Sequence, residues 1–198
     1  MKKVKETVNF IFELAQLKRQ RHVGFQLIGV KNPGTVAEHA LRAAQIGYIL
    51  AVQEGVSPEK VTTMLVIHDN GETRIGDQHK VAARYFSTKG IEEQAVRDQL
   101  SNVEEGVQKK WFAYWKEYEE RDTLEGVVAK DADWLEMAFQ AKEYLDIGYA
   151  GAQEWIDNIE KALETDTAKK ILAEMKETTF REWFKGLKKM TYNKLNKQ

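Results

Sequence analysis

The sequence predicts an all-α fold, a bundle of helices that forms a single domain over residues 1–198. Apolar residues recur at helical spacing in several long segments, whereas no segment alternates apolar and polar residues as a half-buried strand does. The chain has only two prolines, Pro33 and Pro58, so few positions interrupt a helix. No linker or low-complexity tract divides the chain, which favours one domain.

The first predicted helix covers residues 4–17, whose apolar side chains fall on one face. A loop is predicted at 19–34, because this segment ends in the turn signal Asn-Pro-Gly. Thr35 is then predicted to cap a helix over 36–54, and Glu38, three positions later, completes a capping box.

Ser57 and Pro58 provide a cap and a first turn for a third helix, which is predicted to run to about Asp69. A looser segment that contains three glycines is predicted at 70–90. The helices after it are expected to be long, and those from residue 153 to 198 are expected to pack on the rest of the domain. Their predicted ranges are 91–121, 123–147, 153–164 and 167–190.

The composition narrows the classes of function. Hydrophobic residues make up 42% of the chain, as in a globular protein, and the formal net charge of −1 offers no basic excess for a nucleic-acid polymer. The chain has no cysteine, so His, Asp or Glu must hold any metal. We find no run of 18 apolar residues and no signal-peptide pattern at the amino terminus, so we expect a cytoplasmic protein without a membrane partner.

One candidate site lies around His68, Asp69 and Glu72. On a helix these three residues share a face, and the apolar residues before them indicate that the helix is buried. Buried imidazole and carboxylate groups need partners, and a divalent cation satisfies them. Taken alone, the three residues favour a simpler interpretation, in which His68 caps a helix end and Asp69 begins a turn.

His39 and Asp133 add a second imidazole and another carboxylate on two other predicted helices. Asp131 lies two residues before Asp133, and we expect it to be exposed to solvent. Two imidazoles with two carboxylates suit Mn, Fe, Co, Ni or Zn better than Ca, which prefers oxygen ligands.

The arrangement H…HD…D resembles the HD-domain metal-dependent phosphohydrolases, in particular their 5′-deoxynucleotidase branch. The strings that carry this resemblance cover residues 14–145: LAQLKRQRHVGF, TVAEHALRAA, LVIHDNGETRIGD, WKEYEE and KDADWLEMAFQAKEY. It implies an HD-domain bundle, a homodimer and a divalent metal, which is Mn, Co, Fe, Ni, Zn or Mg. The metal ligands implied by the resemblance are His39, His68, Asp69 and Asp133.

The resemblance also implies catalytic and substrate-binding roles. Glu72 and Asp77 would be the acid–base and water-orienting carboxylates. The loop before the first ligand would bind the nucleotide through Lys18, Arg19, Arg21 and Phe25. His22 stands where relatives tend to have arginine, and Phe25 stands where they have tryptophan.

The expected function is therefore removal of the 5′-phosphate from a (deoxy)nucleoside monophosphate. Besides a nucleoside triphosphohydrolase, whose chains are usually much longer, two alternatives stay open from the sequence. One is a hydrolase of ppGpp or another nucleotide pyrophosphate, although such enzymes typically have Glu-Asp after the HD pair where this chain has Glu72-Thr73. The other is a non-catalytic binding module that keeps only the fold.

Overall fold

The computed structural model describes residues 2–85 and 90–187. This part of the chain is helical and contains no β-strand, only an isolated antiparallel bridge between Arg21 and Thr35. None of its helices is long and apolar enough to cross a membrane. The α-helices are α1 (Lys2–Leu14), α2 (Val36–Glu54), α3 (Pro58–Ile67), α4 (Glu72–Ile75), α5 (Ile91–Leu100), α6 (Glu105–Glu120), α7 (Leu124–Asp146), α8 (Gln153–Ala162) and α9 (Asp166–Glu177).

Helices α2, α3 and α7 form the centre of the bundle and bury most of the main hydrophobic core. The helices α2 and α3 approach closely at Gly47, where an added Cβ would lie 2.2 Å from Leu65 Cδ1. Apolar side chains of α8 and α9 extend this core along α7, among them Ile156 and Leu172. A second cluster, which includes Phe10, joins α1, α5 and α6.

The predicted start of α2 is confirmed. The Thr35 hydroxyl accepts the Glu38 N–H at 3.2 Å, and the Glu38 carboxylate accepts the Thr35 N–H at 2.6 Å. Ser57 likewise caps α3, with Pro58 in its first turn. These local signals place the beginnings of the two helices that carry His39 and lead to His68.

Three predicted ranges need correction. The helix predicted to reach about Asp69 ends at Ile67, and a tighter 3-10 turn continues it over His68–Gly71. The range 91–121 is two helices, because Glu104 accepts the Val107 N–H at 3.1 Å and starts a new helix. The range 167–190 ends as a helix at Glu177, and its last residues, 188–190, lie outside the described part.

Asp131 was expected to be exposed, and this prediction is wrong. Its side chain is fully buried in α7 and accepts hydrogen bonds from three donor groups at the corner between α8 and α9. The Thr165 N–H and hydroxyl each lie 2.7 Å from Oδ2, and the Glu164 N–H lies 3.0 Å from Oδ1. Burial is tolerated because these donors replace water around the carboxylate.

We therefore expect Asp131→Ala to lower the free energy of unfolding by about 3 kcal/mol, since it leaves buried donors at Glu164 and Thr165 without an acceptor. Chemical denaturation of the metal-free protein measures this change. Asp122→Ala is the matched control, because Asp122 is exposed just before α7. Equal stability of the two variants would contradict the anchoring role of Asp131.

Candidate metal centre

The four predicted metal ligands converge on one point from three parts of the chain. The Nε2 atoms of His39 and His68 lie 3.3 Å apart. Asp69 Oδ2 lies 2.9 Å from the His68 Nε2, and Asp133 Oδ1 lies 3.1 Å from the His39 Nε2. His39 comes from α2, Asp133 from α7, and His68 and Asp69 from the 3-10 turn after α3. The three most buried members, His39, His68 and Asp133, form a group able to hold a metal ion.

Hydrogen bonds at Nδ1 orient the rings of His39 and His68 so that their Nε2 atoms face the cluster. His39 Nδ1 bonds to the Glu136 carboxylate, and His68 Nδ1 lies 2.7 Å from the Leu65 carbonyl oxygen. Both partners are acceptors, so each Nδ1 carries a proton, and each ring offers a lone pair at Nε2 once that nitrogen has lost its own proton. A carboxylate or carbonyl behind a ligating histidine is the usual arrangement at metal sites.

Asp133 is held so that one oxygen is left for the cluster. Its Oδ2 accepts the Tyr118 hydroxyl at 2.6 Å and the Lys130 ammonium at 2.8 Å, while Oδ1 faces His39. Burial alone would raise the pKa of Asp133, but the charge of Lys130 and the bond to His39 outweigh it, so the pKa lies well below the usual value. Asp133 is therefore an ionised acceptor.

A divalent cation fits these residues. Two imidazole lone pairs and two carboxylate oxygens face one another, and four acceptors without a proton or a cation between them would repel. Ligands bound at ~2.1 Å to one octahedral ion lie about 3.0 Å apart when adjacent and about 4.2 Å apart when opposite. The separations between pairs of these donor atoms run from 2.9 Å to 3.9 Å, close to that range.

Glu72 lies at the edge of the cluster as a buried carboxyl group with unusual protonation. Burial, followed by the charges of Asp69 and Asp77, raises the pKa of Glu72 to about 11. Among the described residues, its Oε2 is buried and has no hydrogen-bond partner. Burial raises the pKa of Glu92 to about 7, and the charge of Asp69 adds to the increase. This excess of buried acid is a further sign that a cation belongs here.

Asp77 has a structural role, because it connects two segments of the chain by a hydrogen bond. Its Oδ2 accepts the Val23 N–H at 2.6 Å and so ties the loop before α2 to the segment after α4. Burial raises the pKa of Asp77, and the charge of His22 opposes the increase. Asp77 therefore holds the chain beside His22 and the metal ligands.

His22 is a neighbour of the cluster that the sequence patterns do not single out as a ligand. One donor atom each from His22, His39 and Asp69 lie within 4.8 Å of one another. The ring centroids of His22 and His39 are 4.5 Å apart. Burial and the charge of His39 lower the pKa of His22. Three of the chain's four histidines thus meet at this site.

The predicted substrate-binding residues are not gathered in the same way. Lys18, Arg19 and Arg21 are exposed on the loop, where Arg19 donates to the Ala15 carbonyl and Arg21 to the Pro33 carbonyl. Phe25 is fully buried, stacked on Trp155 with ring centroids 5.1 Å apart. Its ring is therefore a core group and does not lie open to a base or sugar.

A cavity of about 220 Å³ opens beside His22 and His39. Arg42 lines it, but its guanidinium group is already paired with Glu136 at 2.7 Å and Glu143 at 2.5 Å. The full lining is His22, Phe25, Gly34, Thr35, Glu38, His39, Arg42, Glu136 and Gln140. A larger surface hollow of about 470 Å³ lies between α4 and α5 and includes none of the metal-ligand candidates.

Sequence reasoning missed the residues that orient the ligands. Lys130, Asp133 and Glu136 follow one another at intervals of three, which places them on one face of α7. That spacing was a usable signal for Lys130 and Glu136. Tyr118, which reaches Asp133 from α6, lies in the string WKEYEE that carries the resemblance, but no spacing in the sequence linked it to Asp133.

The fold and the ligand arrangement define an HD domain. The model of the HD domain family matches residues 14–176, so the chain belongs to this family and the resemblance inferred from the sequence is confirmed. The solved structure of a conserved hypothetical protein from Pyrococcus furiosus is similar, with a TM-score of 0.73 and 30% identity. That comparison covers 86% of this chain and 99% of the other.

Curated relatives carry a more specific name. The 5′-deoxynucleotidase HDDC2 of Dictyostelium discoideum is 30% identical over 138 residues, which are 65% of this chain and 72% of the relative. The protein of the same name from Bos taurus is 28% identical over 141 residues, covering 71% of this chain and 68% of the relative.

Proposed function

We propose that this protein is a metal-dependent phosphohydrolase that removes the 5′-phosphate from a (deoxy)nucleoside monophosphate. The observation that carries the proposal is the convergence of four acceptors, His39, His68, Asp69 and Asp133, beside a cavity. The names of the curated relatives support this substrate class and favour neither the pyrophosphohydrolase nor the binding module.

In this proposal the four residues hold one divalent cation, either Mn, Co, Fe, Ni, Zn or Mg. Such an ion polarises a phosphoryl oxygen and lowers the pKa of water. Glu136 and the Leu65 carbonyl fix the two imidazoles, while Lys130 and the Tyr118 hydroxyl fix Asp133.

Glu72 is proposed to move the proton of the hydrolysis. It is buried beside Asp69, and its unpartnered oxygen is available for a proton. Asp77 is proposed as the carboxylate that positions the loop and the attacking water, consistent with its bond to the Val23 N–H.

The cavity beside His39 is proposed to receive the nucleoside part of the substrate. Lys18, Arg19 and Arg21 are proposed to bind phosphate from the exposed side of the loop. The bonds described above for each arginine use one of the five N–H donors of its guanidinium group. Phe25 is proposed to support the cavity wall from the core.

A homodimer is proposed, with α2 supplying the contact. Leu41, Tyr48, Ile49 and Val52 are each about half exposed or more, and their spacing places them on one side of the helix. The molar mass in solution tests the homodimer.

A cytoplasmic location also remains a proposal, which cell fractionation tests.

The test of function is phosphate release from a panel of dNMPs, NMPs, dNTPs and ppGpp with Mn, Co or Mg. We expect release from a dNMP with Mn or Co and none after chelation. Turnover of ppGpp without turnover of any monophosphate would overturn the proposed substrate. Tight metal binding without turnover of any compound would identify a binding module.

A further inference from the structure

His22 lies at the candidate metal centre without a role in the proposed function. Its position is fixed by the backbone on both sides. The His22 N–H donates to the Gly34 carbonyl at 3.0 Å, and the next N–H, that of Val23, donates to Asp77 at 2.6 Å. The Val36 N–H, at the start of α2, donates to the Gln20 carbonyl at 3.0 Å. The loop thus presents His22 from the same end of α2 that carries His39.

Two groups of residues suited to a metal occur here, and they share His39. One is His39, His68 and Asp133, and the other is His22, His39 and Asp69. Because Glu136 occupies the Nδ1 of His39, only Nε2 remains as a donor. An imidazole nitrogen has a single lone pair and binds a single ion. Asp69 also lies 2.9 Å from His68, which belongs to the other group. The two groups therefore describe one centre.

We propose that His22 supplies a fifth protein ligand to the metal held by His39, His68, Asp69 and Asp133. This inference rests on the proposed metal centre. Three imidazoles and two carboxylates form a donor set richer in nitrogen than two of each. Imidazole suits Zn, Fe, Co and Ni, whereas Mg and Mn favour oxygen donors. The additional ligand should therefore shift the metal preference of this chain away from Mg and Mn.

The test compares His22→Gln and His22→Ala with wild type after chelation and reloading with Co²⁺. X-ray absorption counts imidazole ligands, and competition titration measures affinity. We expect three imidazoles in wild type, two in either variant, and a loss of Co²⁺ affinity of at least about tenfold, the lower range seen when a residue that merely orients a ligand is removed. The preference for Co²⁺ over Mn²⁺ should also fall.

His79→Ala is the matched control. His79 is the remaining histidine, and its Nδ1 accepts the Ala82 N–H away from the cluster. The His79→Ala change should leave the number of imidazole ligands and the Co²⁺ affinity unchanged. Circular dichroism of the metal-free variants checks that each is folded.

Two imidazoles in wild type, with the same count in His22→Gln, would overturn the inference, even if affinity falls, because His22 would then act only through its neighbours. Failure of the metal centre itself has a different signature: His39→Ala would bind Co²⁺ as wild type does. Absence of phosphatase activity alters none of these measurements, so the ligand assignment is tested independently of the substrate.

Discussion

Replacing Asp69 by alanine should remove most of the metal affinity and lower turnover by roughly a thousandfold or more, since the ion provides several kcal/mol of transition-state stabilisation. Asp69 Oδ2 lies 2.9 Å from His68 Nε2 and 3.7 Å from His39 Nε2. Removing it takes a negative charge and a donor from the centre. His68→Ala should have the same effect, because it removes an Nε2 donor that faces both carboxylates.

The two variants should nevertheless fold. The helix before them is held by the buried side chains of Met64, Leu65 and Ile67. Neither change alters these side chains, and His68→Ala removes only the bond from Nδ1 to the Leu65 carbonyl. A metal that binds only the folded state raises the melting temperature of wild type. This increase should disappear in both variants and remain in Asp122→Ala. Retention of wild-type activity at low metal concentration in either variant would refute the assignment.

Metal binding at this centre should also depend on pH, because its histidines are paired with carboxylates. Burial would lower the pKa of His39, but its bonds to Asp133 and Glu136 raise it well above the usual value. In the metal-free protein the His39 ring therefore stays protonated on both nitrogens, as the imidazolium, at neutral pH. A cation must displace that proton, so binding releases protons and weakens as pH falls.

Much of this site is encoded locally and could be predicted. The Thr35–Glu38 capping box sets where α2 begins, and His39 follows it directly. The HD pair follows an apolar run that had to be buried. Asp131 shows the limit of such reasoning. An aspartate in a helix is locally unfavourable wherever it points, and its partners, Glu164 and Thr165, lie more than 30 residues away.

Phe25 and His22 show the same limit in one loop. From the sequence, both were neighbours of arginines in a segment assigned to substrate. In the fold, the 3-10 turn Val23–Ile28 sends the Phe25 ring into the core against Tyr144 and Trp155, while His22 stays beside His39. Phe25 thus packs in the core while His22, three residues earlier, lies at the candidate site. Only the tertiary contacts distinguish these two roles.

Replacing Glu72 by glutamine should lower turnover by about a hundredfold or more while leaving the metal bound. In the metal-free protein the Glu72 carboxyl is already protonated at neutral pH, because burial and the charges of Asp69 and Asp77 raise its pKa to about 11. A neutral amide of the same shape should therefore fit with little change in stability. Only the ability to exchange a proton is lost.

Glu92→Gln separates this role from a general effect of charge. Glu92 is a partly buried acid near Asp69 with its pKa raised to about 7, so Glu92→Gln also replaces an acid near the centre by a neutral amide. We expect it to affect turnover far less than Glu72→Gln. In wild type a base with a raised pKa loses activity as pH falls, and Glu72→Gln should remove that dependence from the residual rate. Equal losses in the two variants would show that replacing either acid disturbs the centre in the same way, and would remove the case for proton transfer by Glu72. Loss of metal from Glu72→Gln would instead make Glu72 a ligand.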